Sequence, residues 1–350
     1  MATTFRVSDL RFLAGLLLPL GLLFNMLVHP DRAGIGAFVI WIAVALVDGF
    51  WPGAHRSPPA GGSVGFLRWT LRLYVPVQVA LLAVGIWVTA RAEWAIVVGV
   101  AYGAGFLTGA QGITFAHELG HSRNKVDRFL GWVLMTCVNY PQFMVEHYRG
   151  HHVKAATHDD PASARLGESL WRFLPRTVVG STIHAWQLEA KRLVEMKRGW
   201  ISSPLLWATA VNVAFLAGIV ALAEWKVLFF WLFQSAFAVW LLETVNYIEH
   251  YGLSRAPREP FGVQHAWNAD HVVSNSLLAN LQRHSDHHVN AWKPAAQLEA
   301  LPGPQLPTGY AGCLLLAAVP PLWFRVMHPR LTEPRWQRNG PALGREGAGG

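Results

Sequence analysis

The sequence predicts an all-α integral membrane protein with six transmembrane helices and a histidine-rich site at their cytoplasmic ends. Three observations support this prediction. Of the 350 residues, only 14% are charged and 52% are hydrophobic, whereas about 25% of a soluble domain is charged. The apolar residues form long runs. Three short runs of histidine and one single histidine lie near the ends of those apolar runs.

Six apolar runs have the length, about 17–25 residues, that a helix needs to cross the hydrocarbon core of a bilayer. They are Phe12–Val28, Ile35–Trp51, Leu73–Ala90, Trp94–Ala116, Pro204–Ala223 and Val227–Ile248. The fourth and the sixth lead directly into histidines. Arginines precede the first run as in a signal peptide, but no small-residue cleavage site follows, so we expect an uncleaved first helix.

Two further apolar segments are less regular. Phe129–Val145 contains Asn139 and Pro141, and we place it near the membrane surface. Ala311–Met327 is interrupted by two prolines, which favours an interfacial or re-entrant segment over a span. We expect residues 1–330 to form a single membrane domain, and the Pro-, Gly- and Arg-rich residues 331–350 to form a disordered tail.

The basic residues predict the orientation. With six spans both termini lie on one side, and that side holds all of the 29 lysines and arginines except Arg32, Arg91 and Lys226. Because positive residues stay in the cytoplasm, both termini and every histidine run are expected there. This topology also accounts for the formal charge of +8, and no nucleic-acid-binding module accompanies it.

The histidine runs predict a metal site. His117 and His121 share one helical face, and each of two further runs brings three imidazoles close together. The runs and the single histidine give nine candidate ligands, namely His117, His121, His147, His151, His152, His250, His284, His287 and His288. Nine are too many for one ion, so two ions with four or five imidazoles each are expected. Imidazole binds Zn, Cu, Fe or Ni, so the ligand type does not select the metal.

Neutral ligands leave the charge of the ions uncompensated, so carboxylates should accept hydrogen bonds from the ligand N–H groups. The candidates for this role are Glu118, Glu146, Glu249, Asp160, Asp270 and Asp286, and His271 could also contact a ligand. The other histidines divide into two sets. His29, His55, His184 and His328 have no companion and are expected at surfaces, and His158 and His265 lie in the two polar regions that carry the ligands.

Four sequence strings resemble the signature motifs of the integral-membrane alkane monooxygenases (alkane ω-hydroxylases), a family of the membrane di-iron desaturase and hydroxylase group. The strings are His117-Glu-Leu-Gly-His121, Glu146-His-Tyr-Arg-Gly-His-His152, Asn246-Tyr-Ile-Glu-His-Tyr-Gly-Leu253 and Leu281-Gln-Arg-His-Ser-Asp-His-His288. The resemblance covers about Ala116 to Met327. The third string is the most specific, because the wider desaturase and hydroxylase group shares only the histidine motifs.

The resemblance implies a six-helix enzyme of the bacterial inner membrane with two non-haem irons held by the nine histidines. It implies that dioxygen is the co-substrate and that the terminal methyl of an n-alkane becomes a primary alcohol. Electrons would come from a rubredoxin and an NADH-dependent rubredoxin reductase. The only cysteines, Cys137 and Cys313, cannot form the four-cysteine site of a fused rubredoxin, so the donor would be a separate protein that docks on basic residues between His117 and Trp200.

An alkane has no polar handle, so its selection requires a shaped apolar cavity. Trp41, Phe50, Trp51, Phe106 and Phe115 are candidate wall residues. The glycines of the fourth run, Gly99, Gly103, Gly105 and Gly109, fit either close helix packing or space for substrate. Three alternative functions stay open: hydroxylation of xylene or toluene methyl groups, desaturation or hydroxylation of fatty acyl chains, and metal transport.

Overall fold

The computed structural model describes residues 5–51, 58 and 61–332. Those residues form helices and loops without a regular strand, and one isolated β-bridge joins Asn268 to Gln305. His55 and all but the first two positions of the expected tail lie outside the described residues. In chain order the helices are α1 (Val7–Val28), α2 (Pro30–Phe50), α3 (Val64–Thr89), α4 (Trp94–His121), α5 (Lys125–Cys137), α6 (residues 143–154), α7 (Leu170–Glu195), α8 (Pro204–Leu222), α9 (Trp225–His250), α10 (Val272–Leu277), α11 (His284–Val289), α12 (Tyr310–Ala317) and α13 (Pro320–Leu331).

Six of the described helices are long and apolar enough to cross a membrane: α1, α2, α3, α4, α8 and α9. This confirms the six predicted spans, with shifted ends. The helix α3 begins at Val64 and not at Leu73. Its first turn is capped by Ser63, whose hydroxyl accepts the N–H of Phe66 at 3.2 Å. Arg72 in the early turns pairs with Asp127 of α5 at 2.7 Å, so the charge is compensated and the helix can start earlier than hydropathy indicated.

Each of the two less regular segments forms two helices separated by a break. The first bends after α5, where Asn139 has a φ of 52° and Pro141 precedes α6. The second ends as α12 and resumes as α13 at Pro320, because proline fits the first turn of a new helix but not a helix interior. Neither segment is among the helices long and apolar enough to cross a membrane.

Helix α4 lies at the centre of the membrane bundle, where it packs against α2 and α9. The glycines of α4 allow these contacts. A Cβ on Gly105 would lie 2.9 Å from the backbone oxygen of Gln234 on α9, and one on Gly109 would lie 2.8 Å from the Cα of Ala238. A Cβ on Gly103 would lie 3.1 Å from the backbone oxygen of Ala33 on α2, and one on Gly34 would lie 2.7 Å from the Cα of Gly99. These glycines therefore allow close packing, and Gly109 in addition lines an apolar cavity.

The helices α4 and α9 run in the same direction and end on the same side of the bundle, at His121 and His250. Helices α5, α6 and α7 and the loop region 251–309 form a polar layer over that side. The C-terminus of a helix carries a partial negative charge that favours a nearby cation. The fold therefore places two such helix ends beside the histidines of the polar layer.

Candidate metal centre

The nine candidate histidines come from four places in the fold. Two lie on the last turns of α4, three lie on α6, one ends α9 and three lie on α11. Two of these places contain π-helical turns, at Thr108–Ile113 within α4 and at His147–His151 within α6. Such wide turns occur often at functional sites, because they change the direction of the side chains that follow. Neither turn was predicted from the sequence.

Five of the histidines form one group in which the candidate ligand atoms all lie within 4.8 Å of one another: His117, His121, His147, His152 and His287. The Nε2 atom of His152 lies 3.1 Å from that of His121, 3.0 Å from that of His147 and 3.1 Å from that of His287. One ring nitrogen donates or accepts a single hydrogen bond. Three such contacts therefore cannot all be hydrogen bonds.

A shared cation explains these distances. A metal–nitrogen bond of about 2.1 Å places two ligands at right angles roughly 3.0 Å apart. The Nε2 atoms of His117 and His287 are 2.9 Å apart, close to the same value. The five-histidine group therefore has the geometry of ligands around one metal ion.

The other four histidines form a second group, also within 4.8 Å: His151, His250, His284 and His288. The Nε2 atoms of His284 and His250 are 3.2 Å apart. His250 donates from Nδ1 to the backbone oxygen of His265 at 3.2 Å. The Nε2 atom of His151 is buried and has no hydrogen-bond partner within the part of the chain that the structure describes. The second group can therefore hold a second ion.

The electrostatics favour neutral imidazoles in most of the site outside the spans. Burial, and then repulsion from neighbouring imidazoles, lowers the pKa well below its ordinary value for each of His147, His152, His284, His287 and His288. A neutral imidazole has the free lone pair that a metal requires. His151 differs: burial lowers its pKa, but the stronger combined effect of Asp160 and nearby carboxylates raises that pKa to about 9.

Two of the six candidate carboxylates contact imidazoles of the groups. Asp160 Oδ2 accepts from Nδ1 of His151 at 2.9 Å. Glu249 Oε1 lies 3.2 Å from Nδ1 of His284 and accepts the hydroxyl of Tyr310 at 2.6 Å. Both carboxylates are buried next to the second group.

The other four carboxylates have different partners, which corrects their expected role. Glu146 Oε1 is 3.1 Å from Nδ1 of His184 on α7, because consecutive helical residues point about 100° apart and only His147 faces the groups. Glu118 accepts the backbone N–H of Ala295. Asp270 pairs with Arg283 and Asp286 with Lys293. His271 is buried, and its backbone N–H donates to Gln282.

Three supporting residues had not been predicted from the sequence. Tyr310 holds Glu249, Ser163 donates to Asp160 at 2.6 Å, and His184, expected at the surface, lies between Glu146 and Lys154. Ser163 lies three residues after Asp160, so proximity in sequence was a usable signal. Tyr310 ends the string Leu306-Pro-Thr-Gly-Tyr310 within the region of resemblance, but its distance in sequence from Glu249 gave no indication of this contact.

An apolar cavity ends at the histidines. Near the metal groups its wall includes His117 and His147 of the first group and His284 of the second, and farther away it is lined by side chains of α1, α2, α4, α9 and α12. Of the five aromatic wall candidates, Trp41 and Phe106 line it and stack at 5.6 Å. Phe50 and Trp51 are exposed, and Phe115 packs edge-on against Tyr74, so these three were wrong.

Comparison with known proteins decides the family. The sequence profile of the fatty acid desaturase family matches residues 92–311. Alkane 1-monooxygenase 1 of Pseudomonas aeruginosa is 36% identical over 355 residues, which cover 94% of this chain and 92% of that protein. The alkane 1-monooxygenase of Ectopseudomonas oleovorans is 36% identical over 327 residues, 87% of this chain and 80% of that protein. The chain belongs to the alkane 1-monooxygenase family.

A more distant relative is the hydroxylase component of the xylene/toluene monooxygenase of Pseudomonas putida, 27% identical over 241 residues, 68% of this chain and 65% of that protein. Family membership confirms the resemblance drawn from the four motifs. The matched desaturase region contains all nine histidines and Tyr310 but not α1 and α2. The residues that line the far part of the cavity, such as Ile40 and Trp41, lie outside the matched region.

Proposed function

We propose that this chain is a membrane alkane 1-monooxygenase that hydroxylates the terminal methyl of n-alkanes with two irons, dioxygen and electrons from rubredoxin. In this reaction one oxygen atom enters the methyl C–H bond and the other leaves as water, with uptake of two electrons and two protons. The histidine side of the protein, with both termini, faces the cytoplasm, where the NADH-dependent reductase has its substrate.

One observation carries the proposal: a single apolar cavity ends where both histidine groups contribute to its wall. A linear alkane in this cavity can present a chain end to the metals while the rest of the chain contacts apolar side chains. Shape and burial are the available means of binding, because the substrate has no polar group. The geometry therefore matches a substrate that is oxidised at its end.

The donor set fits iron. Both groups consist of imidazoles, which bind iron, zinc and copper. Zinc has no redox chemistry and so cannot activate dioxygen. Bound irons would supply the activation of dioxygen and the removal of the hydrogen atom from the methyl group. The protein's own residues hold the site: Asp160 orients His151, the pair of Tyr310 and Glu249 supports His284, and the apolar wall excludes water.

The electron donor can approach beside His121. A cavity there is lined by His121, the exposed Trp292 and three basic residues, Arg68, Arg123 and Lys293. The acidic Glu118 and Asp127 also line it, and Arg68 pairs with Asp127. Rubredoxins are acidic, and complementary charge mainly accelerates association. We expect Arg123→Glu to raise the KM for rubredoxin about tenfold at low salt, with the iron content unchanged. Lys197→Glu, at the far end of α7, is the matched control. Equal effects of both substitutions would place the docking surface elsewhere.

Three alternatives are weaker. The xylene/toluene relative makes aryl methyl hydroxylation an alternative. Its identity to this chain is 27%, compared with 36% for alkane 1-monooxygenase 1, so the alkane reaction is favoured. The desaturase profile leaves acyl substrates possible. Among the described residues, however, no lysine or arginine that could pair with an acyl carboxylate lines the cavity. Metal transport requires ligands along a path, whereas the nine histidines form two adjacent groups.

The test is product analysis by gas chromatography. Membranes containing the protein receive NADH, rubredoxin, its reductase, air, and a mixture of n-alkanes with p-xylene. We expect primary alkanols, lost in His284→Ala and retained in His158→Ala, a change of an exposed histidine outside both groups. Benzylic alcohol alone would assign the aryl methyl reaction. No product from iron-loaded protein with either substrate would contradict the proposal.

A further inference from the structure

A second apolar cavity lies between α1 and α2. Leu17, Gly21 and Asn25 line it from α1, and Ala33, Gly36 and Ala37 line it from α2. Leu17 and Gly21 are exposed on the outer surface of the bundle. Since both helices are candidate spans, this surface faces lipid, and the cavity is a cleft that opens sideways into the bilayer.

The packing of the first two helices explains the cleft. Although α1 and α2 are consecutive, α1 packs mainly against α3 and α2 mainly against α4, and few residues join α1 to α2. Small side chains widen the gap. A Cβ on Gly21 would have no neighbour within 4 Å, and one on Gly36 would meet only the amide of Asn25, at 3.5 Å. These glycines therefore leave open space and are not needed for helix contact.

The cleft adjoins the cavity that ends at the histidines. Leu18, Ile40, Phe106 and Leu107 line both, so they form the partition between the two spaces. Leu18 and Ile40 are only half-buried, and such apolar side chains change rotamer rapidly compared with enzyme turnover. A small rearrangement of these side chains would join the cleft to the cavity.

The position of the cleft also fits a path from the bilayer to the histidines. The turn between α1 and α2 lies on the side of the bundle opposite the histidines, because α4 and α9 end on the side where α1 begins. The cleft, close to that turn, therefore lies in the far half of the membrane, and the cavity continues from it toward the metal groups. A long chain that entered here would advance with one end leading toward the histidines.

We propose that the α1–α2 cleft is the lateral entrance through which a linear alkane passes from the bilayer into the catalytic cavity. The proposal rests on the alkane-hydroxylating function proposed above. Alkanes partition into the lipid phase because their apolar surface is excluded from water, so an entrance from lipid avoids exposing the chain to water. Apart from Asn25 the cleft is lined by apolar side chains and glycine, and it shares four wall residues with the cavity, which suits such an occupant.

The proposed entrance is tested by filling the cleft with larger side chains. Gly21→Leu and Gly36→Leu, with Gly36→Ala as a smaller step, are compared with Gly218→Leu on α8, where a Cβ also has no neighbour within 4 Å. Each variant is assayed in vesicles for kcat/KM with several n-alkanes and for iron content. We expect at least roughly a tenfold loss of kcat/KM in the leucine variants, because a misfit of even one methylene in an apolar site has about that effect. The loss should be similar for all chain lengths, with iron content unchanged.

Two results would overturn the entrance. If the cleft variants behave like Gly218→Leu, alkane enters elsewhere. If they lose activity only with long alkanes and keep it with short ones, the cleft accommodates the far end of a bound chain and is not a passage. Failure of the native protein to hydroxylate any n-alkane would instead contradict the proposed function, so the two failures are distinguishable.

Discussion

Asp160→Asn should remove metal selectively from the four-histidine group. In the native protein every hydrogen-bonding partner of the Asp160 carboxylate is a donor. Oδ2 accepts from Nδ1 of His151 at 2.9 Å and from the hydroxyl of Ser163 at 2.6 Å, and Oδ1 accepts the N–H of Ala162 at 3.1 Å. The substitution keeps the size and shape of the side chain but replaces one acceptor oxygen by a donor NH₂ group.

Neither orientation of the asparagine amide satisfies these partners. If its NH₂ faces Ala162, two donors meet and the negative charge beside His151 is lost. If it faces His151, that ring must accept at Nδ1 and protonate Nε2, the atom with which it would bind metal. Partners that orient a metal-binding histidine are worth about 10- to 100-fold in metal affinity or activity. We expect a loss of that size for the four-histidine group alone.

The assay is iron analysis of anaerobically loaded protein after passage through a chelating column. Asp160→Asn should retain about half of the iron of the native chain, because the five-histidine group does not contact Asp160. Asp159→Asn, an exposed neighbour with the same chemical change, should retain all of it. Full retention by Asp160→Asn would refute the argument, and so would equal loss from both groups.

Three further outcomes are expected. Tyr310→Phe removes the hydroxyl that donates to Glu249 and should lower kcat about tenfold in steady-state assays. Tyr102→Phe is the control and should leave kcat unchanged, because the buried hydroxyl of Tyr102 has no hydrogen-bond partner among the described residues. Burial raises the pKa of Glu168, but the bidentate contact with Arg176 and other donors lower that pKa below its ordinary value overall. Its stabilisation is therefore present at neutral pH and is lost as pH falls through the folded-state pKa. Glu168→Gln should cost roughly 1.5–3 kcal/mol at pH 7 and less at pH 4, by thermal unfolding at both pH values. Chelation of metal should lower the Tm and speed hydrogen exchange in α6 and α11, because the clustered imidazoles lose their shared cation. Exchange in α7 should be the same with and without chelator and serves as the internal reference. An unchanged Tm would contradict the metal-site interpretation.

The six candidate spans and the histidines that cluster were predictable because both depend on local sequence. A span needs only a run of apolar residues, and a ligand pair needs only helical spacing. The division of the histidines between two groups was not predictable. His151 and His152 are adjacent yet belong to different groups, and so do His287 and His288. Neighbours on a helix point about 100° apart, so the tertiary positions of α6 and α11 decide which group each one joins.

The carboxylates show the same limit. Proximity in sequence to a histidine suggested Glu146, Glu118 and Asp286, but their partners are His184, a backbone N–H and Lys293. Glu249 is as close to a histidine in sequence, yet the ring it contacts is that of the distant His284, and Asp160 contacts His151, nine residues before it. Apolar wall residues gave still less signal, because an aromatic side chain in a membrane helix can face lipid, protein or a cavity with the same local sequence.

The polar groups of the cavity explain how a substrate without polar groups can reach the metals. Asn246 donates to Glu243 at 3.0 Å, and Glu249 accepts from Tyr310. Thr114 donates to a backbone oxygen of its own helix at 2.7 Å. Because these groups already have protein partners, an alkane that displaces water beside them does not leave them unsatisfied, which would otherwise cost about 1–3 kcal/mol for each. Gln111 Oε1 in the same wall has no hydrogen-bond partner among the described residues. Beside the satisfied groups, a hydroxyl formed on the chain finds the partners engaged, so this part of the wall favours the bound alkane over the bound alcohol.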